Sequence, residues 1–218
     1  MRLQARFLPD GGVVVSGPAN TARFTRVWAG IGWPDREPGY LCVIGHRTDG
    51  LFHALWEKVG GLWELGDAAV EAKQRLLVEC LCVDARDRLA AAYLRTVVDS
   101  GHAEGVPAEA FSGLAERVSP QPAPCVGEGA VLPVPERIVE NYRSALERVR
   151  TIVMRGDLLV RDTPCPKLLY ALHQPVEELL QSPVMRALVW VLTMLEEAAA
   201  GDGIPRVEGP AWYGNLVR

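Results

Sequence analysis

The stretch YLCVIGHRTDGLFHALWEKV, residues 40–59, determines the fold. Two apolar runs rich in residues that favour strands flank Asp49-Gly50, which is among the strongest short-range signals of a β-hairpin. A two-residue loop at this position would pair His46 with His53, with their Cβ atoms roughly 5 Å apart. The stretch therefore predicts an antiparallel strand pair to which the other elements are added.

Strand signals also lie on the N-terminal side of this hairpin. Residues 1–20 are predicted to form a hairpin of their own, with strands at residues 3–8 and 13–16 joined by Pro9-Asp10-Gly11-Gly12. Residues 24–33 form a further apolar run that ends before Pro34, which cannot donate a hydrogen bond to a ladder. We expect this run to be one continuous strand.

On the C-terminal side the apolar period changes to that of helices. Residues 62–77 and 86–98 have a helical period, and the apolar run at residues 78–83 between them ends at Asp84. A strand, a helix and a second buried strand imply a crossover to a parallel neighbour. We therefore expect the strand at residues 27–33 to lie between the strand in the 40s and the strand at residues 78–83.

The second half of the chain is predicted to be mostly helical. We expect a loop or insertion at residues 101–133 with a short helix at 108–118, a brief edge strand at 132–135, a helix at 136–155, a strand at 158–160, a helix at 167–173, a buried helix at 184–199 that Ser182 caps, and a tail at 201–218. Together these elements predict a single α/β domain over residues 1–218, with a mixed sheet flanked by helices.

Composition limits the classes of function. The net charge of −4 gives no sign of the basic excess that general nucleic-acid-binding proteins carry. The start of the chain has no signal-peptide pattern, and the longest strongly apolar run, residues 187–195, is too short to span a membrane. The 5 cysteines lack CxxC spacing, which favours reduced, structural thiols. We therefore expect a cytoplasmic protein without a membrane partner.

The order of elements, three strands followed by helix, strand and helix and then by closing helices, resembles the RNase H-like fold. Three segments narrow the resemblance to the nuclease domain of phage terminase large subunits. They are VWAGIGW at residues 27–33, which is similar to the first strand of those domains, VECLCVD at 78–84, which is similar to the fourth, and residues 142–191, which are similar to their closing elements.

The resemblance implies a site for two divalent ions, which nucleases of this class hold about 4 Å apart with two or three carboxylates. Asp84 matches one of the acidic positions, but Gly32 and Arg186 occupy the places of the other two. Two nearby acids could replace the missing ones, namely Asp35, just after the first strand, and Asp87. The candidate catalytic residues are therefore Asp84, Asp35 and Asp87, and the candidate metal ligands are Asp84 and Asp35. Alternatively, Asp84 is a helix cap that accepts a hydrogen bond from a following amide.

This departure favours a catalytically degenerate relative of phage or prophage type, which keeps the fold for a binding or assembly role. Its expected partner is DNA or a phage-type assembly protein, and we expect no cofactor. The alternatives are an active endonuclease that uses Mg²⁺ or Mn²⁺, and an unrelated α/β protein of unknown substrate.

Other candidate sites are weaker. His46 and His53 could share a metal ion only if a third ligand joined them, and none is apparent, so we expect a polar pair without a metal. Cys165 and His173 are close in sequence but have no orienting partner, which favours structural roles. The Trp212-Tyr213 pair in the tail is either a docking peptide or packs back on the domain. The sequence contains no phosphate-binding loop, dinucleotide fingerprint or nucleophile elbow.

Overall fold

A computed structural model describes residues 3–9, 12–16, 21–33, 38–84, 86, 88–100, 130–161 and 163–200. The predicted helix at residues 108–118 and the tail at 201–218 lie outside these ranges. Within them the chain forms two sheets with helices on both faces of the larger one, so the prediction of a mixed α/β fold is confirmed.

The smaller sheet is antiparallel and contains the predicted N-terminal hairpin. It consists of β1 (Gln4–Phe7), β2 (Val13–Ser16) and β3 (Thr21–Phe24). Residues 24–33 do not form the one continuous strand that was predicted. The run is divided at Thr25 between β3 and the next strand. Thr25 donates its amide and its hydroxyl to the carbonyl oxygen of His46, at 2.8 and 2.9 Å, and this fixes the chain where it passes from one sheet to the other.

The larger sheet carries the candidate site. It consists of β4 (Arg26–Gly32), β5 (Gly39–His46), β6 (Phe52–Gly60), β7 (Cys80–Asp84), β8 (Ala130–Val134) and β9 (Leu158–Leu159), in the order β8-β7-β4-β5-β6-β9. β4, β5 and β6 are antiparallel neighbours, whereas β7 is parallel to β4 and β8 is parallel to β7. The predicted position of β4 between β5 and β7 is confirmed.

Helices cover both faces of this sheet. They are α1 (Leu62–Leu76), α2 (Arg88–Ser100), α3 (Glu136–Glu140), α4 (Tyr142–Arg155), α5 (Pro166–Leu172), α6 (Val176–Leu179) and α7 (Pro183–Ala200). α1 and α2 pack on one face together with the small sheet, and α3 to α7 pack on the other. No helix in the described ranges is both long enough and apolar enough to cross a membrane.

Residues 136–155 form two helices instead of the single predicted one. The break falls at Asn141, whose side-chain amide donates to the carbonyl oxygen of Arg137 at 2.8 Å. Asparagine competes in this way with the backbone for hydrogen bonds, which explains why the helix stops and restarts there. The predicted end of the helix at residue 155 is confirmed, since Gly156 follows it with φ 78° and caps α4.

The hairpin that determines the fold has a different register from the one predicted. The loop contains three residues, Thr48 to Gly50, because the amide of Arg47 donates to the carbonyl oxygen of Leu51 and Gly50 adopts a positive φ of 84°. His46 therefore pairs with Phe52 and not with His53. A turn followed by a left-handed glycine is the usual form of a three-residue hairpin loop, and Asp49 supports it by accepting from the amide of Leu51.

The helix α7 lies against β4 with almost no side chains between the two backbones. A Cβ atom on Gly32 would overlap the carbonyl oxygen of Pro183 and lie 2.8 Å from the amide nitrogen of Ala187. A Cβ atom on Gly30 would overlap the carbonyl oxygen of Ala187. The prediction that this helix is buried is confirmed, and the Ser182 hydroxyl accepts from the amide of Met185 at 3.4 Å, as a cap does.

We predict that Gly30→Ala and Gly32→Ala each lower the free energy of unfolding by about 2–3 kcal/mol, because α7 must move away from β4 to make room for the methyl group. Urea unfolding followed by tryptophan fluorescence measures the change. Gly61→Ala is the control, because a Cβ atom there would have only an ordinary contact with Glu64 at 3.5 Å. Equal stability of wild type and both strand variants would contradict the close packing.

Candidate functional site

Gly32 and Asp84, two of the positions that the resemblance matches, lie where β4 and β7 end, next to the end of β8. β4 and β7 are parallel, with Gly30 beside Cys82, so two residues further along Gly32 is level with Asp84. On the other side Asp84 pairs with Val134. Because side chains alternate along strands, Asp84 is on the same face as Cys80 and Cys82, the face that α7 covers.

Both carboxylate oxygens of Asp84 are already bonded. Oδ1 accepts from the amide and the Nε of Arg86, at 2.9 and 3.1 Å, and Oδ2 accepts from Nη2 of the same residue at 2.9 Å. The Asp84 side chain is only 13% exposed, whereas the Arg86 side chain is 62% exposed. The Arg86 amide donates the hydrogen bond that the capping alternative requires, although α2 begins only at Arg88. A divalent ion would have to displace the guanidinium, whose two-pronged pairing with a carboxylate is among the stronger hydrogen-bond geometries.

The other two matched positions hold no acid at the same edge. Gly32 has no side chain, and the backbone of α7 fills the space that one would occupy. Arg186, in the first turn of α7, donates to the carbonyl oxygen of Trp33 at 3.4 Å and to the Oε1 of Gln181 at 3.5 Å. Arg186 therefore lies beside the end of β4, the strand that carries Gly32.

The two substitute acids, Asp35 and Asp87, lie outside the described residues. In the part of the chain that is described, no group of three or more histidine, cysteine, aspartate or glutamate side chains is arranged to hold a metal ion. The described partner of the Asp84 carboxylate is the Arg86 guanidinium.

His46 and His53 do not face each other, which corrects the prediction. His46 is opposite Phe52, with ring centroids 4.9 Å apart, whereas His53 is opposite Gly45 and contacts the ring of Phe24 at 5.5 Å. A shift of one residue in register moves a side chain to the other face of the sheet, so the two imidazoles point to opposite sides. Burial lowers the pKa of both histidines.

Glu57 has a role that the sequence analysis missed. Its carboxylate accepts from the amides of Lys167 and Leu168, at 2.8 and 3.0 Å, and from the hydroxyl of Tyr40 at 2.5 Å. A β-bulge at Leu55 shifts the register of β6, so that Glu57 lies opposite Cys42 on the face that carries α5. The side chain thereby ties β6 to the first turn of α5. The only sequence signal was Pro166, which favours the first position of a helix.

The thiols near Glu57 are not reactive groups. Cys42 and Cys165 are fully buried, and burial raises the pKa of both well above its ordinary value, so both stay protonated near neutral pH. The Nδ1 of His173 is 2.8 Å from the carbonyl oxygen of Leu169 in its own helix. These contacts agree with structural roles for the cysteine and the histidine.

Glu79 is a partly buried acid just before β7. Its Oε2 accepts from the indole Nε1 of Trp28 at 3.4 Å, and its amide donates to the carbonyl oxygen of Val27 at 2.9 Å. Burial raises its pKa to about 7, and the bonds from Trp28 and Val27 and the charge of Arg26 offset only part of that rise. The fold therefore disfavours the ionised form of this acid.

Glu79 should make stability depend on pH. Its folded pKa exceeds the unfolded value of 4.5, so its destabilising effect is absent below pH 4.5, develops as pH rises and is complete above pH 7. We predict that Glu79→Gln gains up to about 3 kcal/mol relative to wild type between pH 5 and pH 8. Urea unfolding at each pH measures this difference, and taking it between two proteins cancels the histidine titrations. Glu147→Gln, an exposed change on α4, should show no such trend. If the difference in unfolding free energy between Glu79→Gln and wild type stays constant with pH, the raised pKa of Glu79 is contradicted.

Comparisons of the chain with protein-family models, with curated proteins and with solved structures gave no significant match.

Proposed function

We propose that this protein is an RNase H-like relative of phage terminase nuclease domains that has lost the catalytic site and keeps the fold for binding or assembly, in a phage or prophage. The arrangement of the sheet supports this reading. Three antiparallel strands are followed by two parallel strands reached through α1 and α2, and β4 lies between β5 and β7 as the resemblance requires.

One observation supports the hypothesis that the catalytic site is lost. The backbone of α7 occupies the space that a side chain at position 32 would need. In the resemblance this is the place of the first-strand aspartate. An aspartate at position 32 would collide with Pro183 and Ala187, so restoring the acid would require the helix to move. The absence of this carboxylate is therefore part of how the domain is packed.

The charges at the same edge support the same conclusion. Two divalent ions bring a charge of about +4, which paired carboxylates must balance while they fix the geometry of the attack. Asp84 is the one matched acid, and Arg86 already neutralises it. Mg²⁺ gives up its waters only to well-placed ligands, so a single paired carboxylate binds it loosely.

A binding role follows from what the edge still offers. Arg86 is well exposed, and Arg186 lies close to the end of β4. Guanidinium groups suit the phosphates of DNA or acidic groups on an assembly protein, because they carry several donors and a permanent positive charge. The Nε and Nη2 of Arg86 would be shared between Asp84 and such a ligand. The overall charge of −4 restricts such binding to a local surface.

We predict that the purified protein does not nick supercoiled plasmid in Mg²⁺ or Mn²⁺. Wild type, Asp84→Asn and the exposed-residue control Asp99→Asn should all leave the plasmid intact at protein concentrations well above that of the DNA. Gel electrophoresis over several hours, with an active nuclease as a positive control, measures cleavage. Robust cleavage that Asp84→Asn abolishes and Asp99→Asn retains would favour the alternative, an active endonuclease assisted by Asp35 or Asp87.

Binding is tested separately by fluorescence anisotropy with labelled double-stranded DNA. We predict that Arg86→Gln weakens binding several-fold, because one phosphate contact is lost, and that Asp84→Asn strengthens it, because a competing carboxylate is removed. Arg150→Gln, an exposed arginine on α4, is the matched control and should change the affinity less. If wild type binds no DNA, the proposal requires that its partner is an assembly protein. A second experiment tests whether proteins encoded by neighbouring genes co-purify with it. If none does and no DNA is bound, the hypothesis of an unrelated α/β protein is favoured.

A further inference from the structure

The outer face of α4 has the spacing of a coiled-coil seam. The side chains that α4 turns to the core are Ala145, Leu146, Val149 and Ile152. On the opposite side, exposed residues recur at alternating intervals of three and four residues, which is the spacing of the inner positions of a heptad. These seam residues are Ser144, Glu147, Thr151 and Met154, and the last is 84% exposed. The outer face of α4 thus has the geometry to receive a second helix.

All four arginines of α4 are exposed and flank the seam residues. They occupy the positions called g and e in a heptad, with Arg143 and Arg150 along one side and Arg148 and Arg155 along the other. Arg148 pairs with Glu196 of α7 at 2.9 Å, whereas no ion pair joins the other three to an acid in the described ranges. The four arginines and one glutamate of α4 give this helix a formal charge of +3, within a chain of −4.

The charge of this face determines which partner it fits. Charged residues at the e and g positions of paired helices select the partner, because they meet the charges of the other helix across the seam. Arginines at all four positions favour acids on that helix and disfavour a second copy of α4, which would oppose arginine to arginine. The seam suits a protein better than DNA, since Met154 offers apolar surface and the Glu147 carboxylate would repel phosphates. The Thr151 hydroxyl already donates to the carbonyl oxygen of Glu147 at 3.0 Å, so covering it leaves no donor unbonded.

We propose that the outer face of α4 binds an acidic α-helix of a partner protein. α4 has 14 residues, or two heptads, so a partner helix with acids at positions i and i+7 meets both arginines on one side. A basic residue of the partner faces Glu147, and a charge inside the seam fixes the register of the two helices. The seam is mostly polar, so ion pairs select the partner and the complex weakens as salt is added. This inference is independent of the proposed function, because it uses no residue at the Asp84 edge.

The experiment is fluorescence anisotropy of the full chain with two labelled synthetic helices at low ionic strength. Both have leucine in the seam and one lysine to face Glu147, but the flanking positions hold glutamate in the first helix and lysine in the second. We expect wild type to bind the glutamate helix, and Arg143→Gln/Arg150→Gln to bind it about fivefold more weakly, because two exposed ion pairs are lost. The charge-matched control, Arg6→Gln/Arg95→Gln, removes two exposed arginines from β1 and α2, which lie on the other side of the large sheet, and should leave the affinity unchanged.

A charge reversal tests the pairing by a gain as well as a loss. Arg143→Glu/Arg150→Glu should lose the glutamate helix and bind the lysine helix, because the ion pairs are restored with opposite sign. Circular dichroism verifies that each variant is folded. The proposal is overturned if wild type does not bind the glutamate helix, if the reversal leaves the preference between the two helices unchanged, or if the control loses as much affinity as Arg143→Gln/Arg150→Gln. A loss of DNA affinity in the α4 variant, with unchanged affinity for the glutamate helix, also overturns it and assigns the face to nucleic acid.

Discussion

The contact between α7 and β4 is the constraint on which the rest of the structure depends. Gly30 and Gly32 present bare backbone to the helix, and the carbonyl oxygens of Pro183 and Ala187 lie where side chains would otherwise stand. This close approach lets an almost wholly apolar helix bury itself at the centre of one face of the sheet, where α4 and α5 pack around it. It also determines where Ser182 and Arg186 lie, because the first turn of α7 is held over the end of β4. The geometry of the candidate site is thus a consequence of core packing.

Glu57 shows how the same face accommodates a charged group away from that contact. The bulge at Leu55 adds one residue to β6, which turns Glu57 toward α5 and leaves Leu55 with the opposite core. The carboxylate then satisfies two of the amides that every helix start leaves unbonded, together with the hydroxyl of the buried Tyr40. A buried polar group is tolerable when its bonds are made in this way. Arg26 contrasts with Glu57, because its Nη1 has no hydrogen-bond partner among the described residues.

The elements could be predicted from the sequence where local signals were strong. The helical period located α1, α2 and α7, and the apolar runs located β4, β5, β6 and β7. Register was not predictable, because Asp49-Gly50 is compatible with loops of two or three residues and the choice depends on how the strands pair. For the same reason the role of Glu57 could not be predicted, because a bulge determines the face of the sheet on which its side chain lies. The break at Thr25 could not be predicted either, because it occurs where the two sheets meet. Of the candidate site, the position of Asp84 at a strand end followed from the pattern, but its pairing with Arg86 required the turn that the structure shows.

The packing at Gly32 also bears on whether a metal site could form at this edge. If the position were open, a single substitution could supply a carboxylate there, and the space beside the backbone would hold water or an ion. Here the space is closed by the backbone of α7, and the remaining acid is bound to a neighbouring guanidinium. A divalent-metal site at this edge would therefore require α7 to repack and further acids to be placed beside Asp84.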